Sequence, residues 1–238
     1  MTTGPRLLVV DDDERIIEIM RVALEEEGYR VDTAGDAEQA LQSMRVNRPD
    51  LLVLDVMLPG RDGFELCREI RKSSSVPIVL LTAKTDTIDV VVGLESGADD
   101  YVTKPFEMRV LVARLRSLLR RARSREGAER ILHLGPLEIR PDEGVVLKNG
   151  ASLPLTRTEF RLLCTLASRP SRVFSRELLL EEVWGYDYFG DARLVDVHIR
   201  RLRSKVEDDP AHPVLVQTVR GMGYKLSEAQ SRGAEGPP

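Results

Sequence analysis

The stretch LLVVDDDERI, residues 7–16, decides the fold, because four apolar residues run directly into three aspartates. A short apolar run bounded by polar residues is typical of a buried strand. Three like charges at the end of that strand repel one another, so the segment needs a nearby cation or the N-terminus of a helix. The stretch therefore predicts a strand that leads into a charged site.

Four further segments repeat this pattern, and each precedes apolar residues at helical spacing: YRVDTA (29–34), DLLVLDV (50–56), PIVLLTA (77–83) and DDYVTKP (99–105). Alternating strands and helices predict an α/β fold with a doubly wound, five-stranded parallel sheet of the flavodoxin-like order 2-1-3-4-5. Ligands bind such sheets beyond the carboxyl ends of the strands, at the point where strands one and three are neighbours.

The carboxyl ends of four predicted strands carry the candidate site residues. Asp11 and Asp12 follow the first strand, and Asp55 ends the third. Thr82 ends the fourth strand and Lys104 follows the fifth. Carboxylate oxygens of this kind suit Mg²⁺, and a carboxylate nucleophile beside a metal and a lysine is suited to phosphoryl transfer. Each residue alone could equally be a cap, a turn former or a solvated charge, but their convergence favours a phosphoryl-acceptor site.

A charged segment, RRARSREGAER (120–130), separates two regions of different pattern. We predict a first domain over 1–122, a linker over 123–130, a second domain over 131–228 and a disordered tail over 229–238. The end of the first domain could also be a frayed helical turn at 119–123. The two cysteines are far apart in sequence and no long apolar segment is present, so we expect a cytoplasmic protein with reduced thiols and no membrane partner.

The second domain has the pattern of a winged helix-turn-helix. Thr156 and Ser175 are placed to cap two helices, a third runs from about Ala192 to Val206, and a Gly-turned hairpin with Arg220 at its tip follows. Residues 193–205 hold five basic residues and one acid, whereas residues 1–122 hold 17 Lys/Arg and 22 Asp/Glu. Nucleic acid is therefore the expected partner of the second domain only.

The third helix is predicted to bury one apolar stripe, Val195, Ile199, Leu202 and Val206, with its basic side chains on the other faces. Such a face is often merely solvated. A preceding helix and a following hairpin favour DNA instead, with the helix in the major groove and the hairpin in the minor groove.

These motifs resemble a known family over nearly the whole chain. VVDDDE, LDVMLPGRDGFELC, LLTAK and GADDYVTKPF resemble the receiver domains of two-component response regulators, over about residues 5–122. LTRTEFRLL, VWGYDYFGDARLVDVHIRRLRSKVE and VQTVRGMGYKL resemble the winged-helix effector domain of the OmpR/PhoB subfamily, over residues 131–226. The resemblance implies a transcriptional regulator that a sensor histidine kinase phosphorylates, and that then dimerises and binds tandem promoter half-sites.

For the receiver, the resemblance implies Asp55 as the phospho-acceptor. It places Mg²⁺ on Asp12, Asp55 and the backbone carbonyl of Met57, with Asp11 acting through a water molecule, and the phosphoryl oxygens on Thr82 and Lys104. Tyr101 would move with Thr82 as the switch, the Lys104-Pro105 peptide would be cis, and Asp13 would start the first helix. The dimer surface would lie on the fifth strand and the helices around it, with the following residues: Asp100 opposite Arg114, Glu95 opposite Arg116, and an apolar contact of Val90 with Val110 where the family usually has a charged pair.

For the effector domain, the resemblance implies DNA contacts by eight residues: Trp184, Arg193, His198, Arg200, Arg201, Arg203, Thr218 and Arg220. The loop GYDYFGD (185–191) would meet RNA polymerase. Two other classes of protein compete with this interpretation. A hydrolase with an aspartate nucleophile would need an acid two residues later, where Met57 stands, so we expect no enzyme beyond slow self-dephosphorylation. A DNA-binding protein that does not depend on phosphorylation would not need the acidic set.

Overall fold

A computed structural model describes residues 4–83, 95–120, 131–185 and 192–227. The chain divides into two compact units, residues 1–124 and 125–238. This division lies inside the segment predicted as the linker. Among the described residues, no helix combines the length and apolar character that crossing a membrane requires.

A five-stranded parallel sheet forms the centre of the N-terminal unit, and its order is β2-β1-β3-β4-β5, as predicted. Its strands are β1 (Arg6–Val10), β2 (Arg30–Ala34), β3 (Leu51–Asp55), β4 (Ile78–Thr82) and β5 (Asp100–Thr103). The central strands are apolar along their length because helices cover both faces of the sheet. This continuous burial fixes the register of the sheet.

Four described helices cover the sheet: α1 (Glu14–Glu26), α2 (Ala37–Asn47), α3 (Gly63–Arg71) and α4 (Met108–Arg120). Buried residues of α2 and α3 pack in a cluster on one face, and those of α1 and α4 in a cluster on the other. Asp13, Asp36 and Asp62 cap the first three helices through their side chains. The predicted extension of α4 to Arg123 lies outside the described residues.

The C-terminal unit begins with an antiparallel sheet and continues with three helices and a hairpin. The sheet contains β6 (Leu132–Leu134), β7 (Leu137–Arg140), β8 (Val145–Lys148) and β9 (Ala151–Ser152). The helices are α5 (Arg157–Ser168), α6 (Arg176–Trp184) and α7 (Arg193–Val206). The hairpin that follows, here called the wing, consists of β10 (Val216–Val219) and β11 (Gly223–Leu226). This order is the predicted winged helix-turn-helix.

Local sequence signals account for these elements. Asn149 and Gly150 join β8 to β9 with φ angles of 52° and 81°, the left-handed conformation that an Asn-Gly turn favours. Thr156 and Glu159 form a reciprocal capping box at the start of α5. Ser175 caps α6, which buries Leu179, Leu180 and Val183, while Leu178 is only half-buried.

A buried ion pair ties α3 to the strands that carry the site. Arg71 donates from Nη2 to Asp99 Oδ2 at 2.7 Å and from Nε to the Gly97 carbonyl at 2.7 Å. The same Asp99 oxygen accepts from the Ile78 amide at 3.0 Å. Asp99 is fully buried, so its charge has no access to water and depends on these donors.

We expect Asp99→Ala to lower the free energy of unfolding of the N-terminal unit by about 3–5 kcal/mol, because it leaves Arg71 without its buried counter-charge. Urea unfolding followed by circular dichroism measures this change. The control is Glu18→Ala, which removes an exposed pair with Arg21 and should cost far less. Equal losses in the two variants would contradict the importance of the buried pair.

Candidate functional sites: an acidic cleft and a basic helix

Three carboxylates meet at the carboxyl ends of β1 and β3. Val10 pairs with Leu54 in the sheet register, so the residues that follow, Asp11 and Asp55, lie side by side. One oxygen from each of Asp11, Asp12 and Asp55 lies within 4.8 Å of the others. Asp11 and Asp55 are buried and Asp12 is exposed. The arrangement is therefore a cleft with two dehydrated acids in its wall and a third at its mouth.

Lys104 closes this acidic cleft from the end of β5. Its Nζ donates to Asp11 Oδ2 at 2.8 Å and to Asp55 Oδ2 at 2.9 Å. The Lys104 amide donates to the Thr82 carbonyl at 2.7 Å, and the Lys104-Pro105 peptide is cis, as the resemblance implied. One ammonium group thus bridges two buried carboxylates and offsets part of their repulsion.

The pKa of Asp55 is raised above its ordinary value. Burial is the main cause, and the hydrogen bond and charge of Lys104 only partly oppose it. Burial also acts to lower the pKa of Lys104, but its hydrogen bonds to Asp11 and Asp55 outweigh this and leave its pKa raised. The lysine therefore stays charged, and the acids retain an excess of negative charge that a further cation would neutralise.

One oxygen of this cleft is buried without a donor. Asp55 Oδ1 accepts no well-formed hydrogen bond from the residues that the structure describes, although almost no water can reach it, and the Met57 amide acts only weakly on this carboxyl. A buried acceptor left in this state is costly, so the position favours a bound metal ion or a covalent modification. The hard oxygen donors of Asp11, Asp12 and Asp55 fit Mg²⁺.

The remaining receiver residues surround the acidic cleft. Thr82 is buried at the end of β4, and Tyr101 is half-buried against the α2–α3 face of the sheet. Asp13 points away, since it caps α1 by accepting from the Arg15 amide. The Met57 side chain is exposed at the start of the loop after β3.

The residues of the expected intersubunit ion pairs have partners within the chain itself. Arg114 Nη1 lies 2.9 Å from Asp100 Oδ1, and Asp100 is almost completely buried. Arg116 forms an exposed ion pair with Glu27 at 2.6 Å. The pairing of Asp100 with Arg114 and of Glu95 with Arg116 across a dimer stays a prediction. Val110 is exposed, as an apolar contact residue would be, and Val90 lies outside the described residues.

The basic helix α7 buries the predicted apolar stripe and also a histidine. Val195, Ile199, Leu202 and Val206 are buried, and so is His198, which is 0% exposed. The His198 ring lies 5.1 Å from that of the buried Trp184. The aromatic pair packs α7 onto α6, and DNA contact by these two side chains stays a prediction.

The arginines of α7 fall into two groups. Arg201 is only 14% exposed, and its Nη2 lies 3.0 Å from Oε1 of the buried Glu159 on α5. Arg203 donates to the Val216 carbonyl and to Thr218 Oγ1, both at 2.8 Å. By contrast, three arginines have exposed side chains: Arg193 at the start of α7, Arg200 in its middle and Arg220 at the tip of the wing. Thr218 is also exposed.

Sequence reasoning missed Glu159 as a site residue. It accepts from Lys205 Nζ at 2.6 Å besides pairing with Arg201, and so it joins α5 to α7 through two charges. The capping-box pattern identified its place in the helix but gave no signal for partners more than forty positions away.

Comparisons with known proteins agree with both units. The family model "Response regulator receiver domain" matches residues 7–116, and "Transcriptional regulatory protein, C terminal" matches residues 150–226. Transcriptional regulatory protein AfsQ1 of Streptomyces coelicolor is 53% identical, over 95% of this chain and 100% of its own. DNA-binding response regulator MtrA of Mycobacterium tuberculosis is 53% identical, over 94% of this chain and 97% of its own.

The chain belongs to the OmpR/PhoB family of two-component response regulators. Among solved structures, a mutant of RitR is 29% identical with a TM-score of 0.77, covering 94% of this chain and 100% of its own. DrrB, described as a Thermotoga maritima OmpR/PhoB homologue, is 36% identical with a TM-score of 0.51, covering 94% and 99%. The regulator therefore combines a receiver domain with a DNA-binding domain.

The pKa of Glu159 predicts how the stability of the regulator depends on pH. Burial acts to raise this pKa, but the charges of Arg201 and Lys205 and the Thr156 amide together lower it below its ordinary value. A carboxylate with a lowered pKa stabilises the folded state above the ordinary glutamate pKa, about 4.3, and loses this effect as the pH falls through its folded pKa.

We expect the C-terminal unit to lose stability as the pH falls below about 4.3, and Glu159→Gln to make its unfolding less dependent on pH in that range. Urea unfolding followed by the fluorescence of Trp184, the one tryptophan of the chain, measures this. Glu182→Gln, on the exposed side of α6, is the control. An identical pH slope in wild type and Glu159→Gln would show that this carboxylate does not carry the effect.

Proposed function

We propose that Asp55 accepts a phosphoryl group from a sensor histidine kinase, and that the modification promotes dimerisation and promoter binding. The observation that carries the proposal is the acidic cleft itself, with Lys104 bridging the buried Asp11 and Asp55 beside Asp12. Membership of the response regulator family supports it. The cleft would take a doubly charged cation and a phosphoryl group without any further basic residue.

Mg²⁺ fits the donor set of the acidic cleft, with Asp12, Asp55 and the backbone carbonyl of Met57 as its ligands and Asp11 acting through a water molecule. When bound, the ion supplies positive charge that neutralises the transferring phosphoryl oxygens. Lys104 supplies a second positive charge from the β5 side. Thr82, at the end of β4, provides a hydroxyl donor to the third side of the group.

The chemistry required of the chain is a displacement at phosphorus. An Asp55 carboxylate oxygen forms the new P–O bond while the P–N bond of the kinase phosphohistidine breaks, and the imidazole leaves with the electron pair. Asp55 must be ionised for this attack, so its raised pKa makes the reaction slower at mildly acidic pH. Lys104 counteracts this by stabilising the ionised form. We propose that the chain catalyses no other reaction and loses its phosphoryl group only slowly.

We propose that the switch runs from the acidic cleft to the surface through Thr82 and Tyr101. A phosphoryl group adds about −1.5 to −2 charges and draws hydroxyl donors toward it. Arg114 Nη1 donates to the backbone carbonyl of Tyr101 at 2.9 Å and also pairs with Asp100. Movement of Tyr101 would therefore alter the Asp100–Arg114 pair. The proposed homodimer forms on this surface, with Val110 as an apolar contact.

We propose that DNA meets the exposed face of α7 and the tip of the wing, in the cytoplasm. Arg193 and Arg200 are two helical turns apart and lie on one face, directed to the major groove, while Arg220 reaches the minor groove. Thr218 contacts the DNA backbone, and Arg201 and Arg203 support the interface from behind. The loop 185–191, mostly outside the described residues, is the proposed contact for RNA polymerase.

We expect acetyl phosphate with Mg²⁺ to add one phosphoryl group to the wild-type chain and none to Asp55→Asn, because the nucleophile is lost. Intact-mass spectrometry and peptide mapping measure the adduct. Asp13→Asn is the matched control, since Asn also caps a helix and Asp13 lies outside the acidic cleft. Sedimentation of the labelled sample reports dimerisation. An adduct that persists in Asp55→Asn, or one that leaves oligomer state and DNA affinity unchanged, would contradict the proposal.

We expect Arg200→Ala to weaken binding to a preferred duplex by about 1–3 kcal/mol, and binding to random duplex by less, if Arg200 reads a base. Fluorescence anisotropy with a duplex enriched by the full chain from a randomised pool measures both. Arg21→Ala, which removes a charge from α1, is the control. Equal losses on the two duplexes would make Arg200 a phosphate contact, and a salt slope changed by about 0.9 would confirm that alternative.

A further inference from the structure

An acid lies on the helix that is proposed to meet DNA. Asp196 is in the first turn of α7, between the exposed Arg193 and Arg200, and phosphate would repel it. A carboxylate in this turn is stabilised by the helix dipole, which would explain its presence but not its contacts. Its partners give it a more specific role.

Two donors from different elements share one oxygen of Asp196. Arg176 on α6 donates from Nε to Asp196 Oδ1 at 2.7 Å, and the hydroxyl of Tyr224 on β11 donates to the same oxygen at 2.7 Å. Arg176 Nη2 also lies 3.3 Å from the Tyr224 hydroxyl oxygen. One carboxylate therefore links both helices of the helix-turn-helix to the wing.

The aromatic ring of Tyr224 contacts two arginine side chains. The guanidinium carbons of Arg176 and Arg203 lie over it, at 5.1 Å and 5.7 Å from the ring centre. Arg203 reaches the opposite strand of the wing through Val216 and Thr218. Both strands of the wing are thus attached to α7, which limits the directions in which the hairpin can swing.

Backbone contacts hold β11 close to the turn of the wing, where Gly223 pairs with Val219. The Phe174 amide donates to the Tyr224 carbonyl at 2.8 Å, and the Tyr224 amide donates to the Phe174 carbonyl at 2.9 Å. A Cβ atom at Gly223, whose φ is 136°, would lie 2.0 Å from the Phe174 carbonyl oxygen, so only glycine permits this close approach. The start of β11 is therefore held through its backbone by Phe174 and through the Tyr224 hydroxyl by α7.

We infer that Tyr224 is a positioning residue: with Asp196 and Arg176 it sets the distance between the wing tip and the exposed face of α7. This inference rests on the proposed DNA interface and adds a determinant of its geometry. Burial raises the pKa of Tyr224 to about 12, so the hydroxyl keeps its proton and remains a donor to Asp196 at neutral pH. The wing tip then presents Arg220 at a spacing that α7 itself dictates.

A double-mutant cycle tests this inference in the full-length chain. Tyr224→Phe keeps the ring under both arginines and removes only the hydroxyl. The loss caused by Arg220→Ala is measured in wild type and in Tyr224→Phe, with the enriched duplex and fluorescence anisotropy, and so is the loss caused by Arg200→Ala. We expect the Arg220→Ala loss to shrink by about threefold or more in Tyr224→Phe, while the Arg200→Ala loss stays the same.

Matched variants separate positioning from general destabilisation. Tyr29→Phe, in the N-terminal unit, should leave both losses unchanged. Asp196→Asn retains an oxygen acceptor and should preserve the Arg220→Ala loss, whereas Asp196→Ala should reduce it as Tyr224→Phe does. An Arg220→Ala loss that is the same in wild type and Tyr224→Phe would overturn the inference.

An error in the proposed DNA interface would give a different result from an error in the role of Tyr224. If Arg200→Ala and Arg220→Ala leave wild-type affinity unchanged, the proposed interface is wrong, and hydrogen exchange of the free chain tests the wing alone. We expect the amides of β10 and β11 to exchange about threefold or more faster in Tyr224→Phe. Exchange at the wild-type rate would overturn the attachment of the wing.

Discussion

The ammonium group of Lys104 between Asp11 and Asp55 is the contact on which the receiver site depends. Two buried carboxylates side by side repel each other and oppose folding unless a cation lies close to both. The register of β1 and β3 brings the acids together, and the position of Lys104 after β5 supplies the charge. Folding thus assembles a site that is incompletely neutralised, and the proposed uptake of a cation and a phosphoryl group depends on this remaining negative charge.

A second buried acid plays a comparable part in the C-terminal unit. Glu159 draws Arg201 and Lys205 of α7 toward α5, and Asp196 draws Arg176 and Tyr224 together on its other side. These contacts use basic side chains that a charge count would assign to DNA. The proposed DNA surface therefore has fewer free arginines than a charge count indicates, and acids that need not touch DNA help to set its geometry.

The architecture and the centre of the site follow from local patterns in the sequence. Continuous apolar runs predicted the five strands, and their alternation with helices predicted the order of the sheet. The positions at the strand ends predicted Asp11, Asp55 and Lys104 as site residues. The turn at Asn149-Gly150 was predictable because few residue pairs adopt two left-handed conformations. In all these cases the deciding interaction is local or repeats with the period of the element.

Pairings across the tertiary structure were not predictable in this way. Arg114 has the same charge whatever its partner, and only the folded chain shows that it pairs with the buried Asp100 of the same chain. His198 lies one position from the apolar stripe, and its packing on Trp184 depends on how α6 crosses α7. Likewise, the choice of Arg201 over Arg200 as partner of Glu159 depends on the rotation of α7, which a stripe defines only coarsely.

The most direct test of the central claim is a titration of the Asp55 carboxyl by carbon-13 NMR, without and with Mg²⁺. Without the ion, the pKa of Asp55 should lie above the ordinary aspartate value of about 3.9, because burial outweighs the charge of Lys104. With the ion, it should fall, since a divalent cation favours the carboxylate. An ordinary pKa that Mg²⁺ leaves unchanged would contradict an acidic cleft that needs more positive charge.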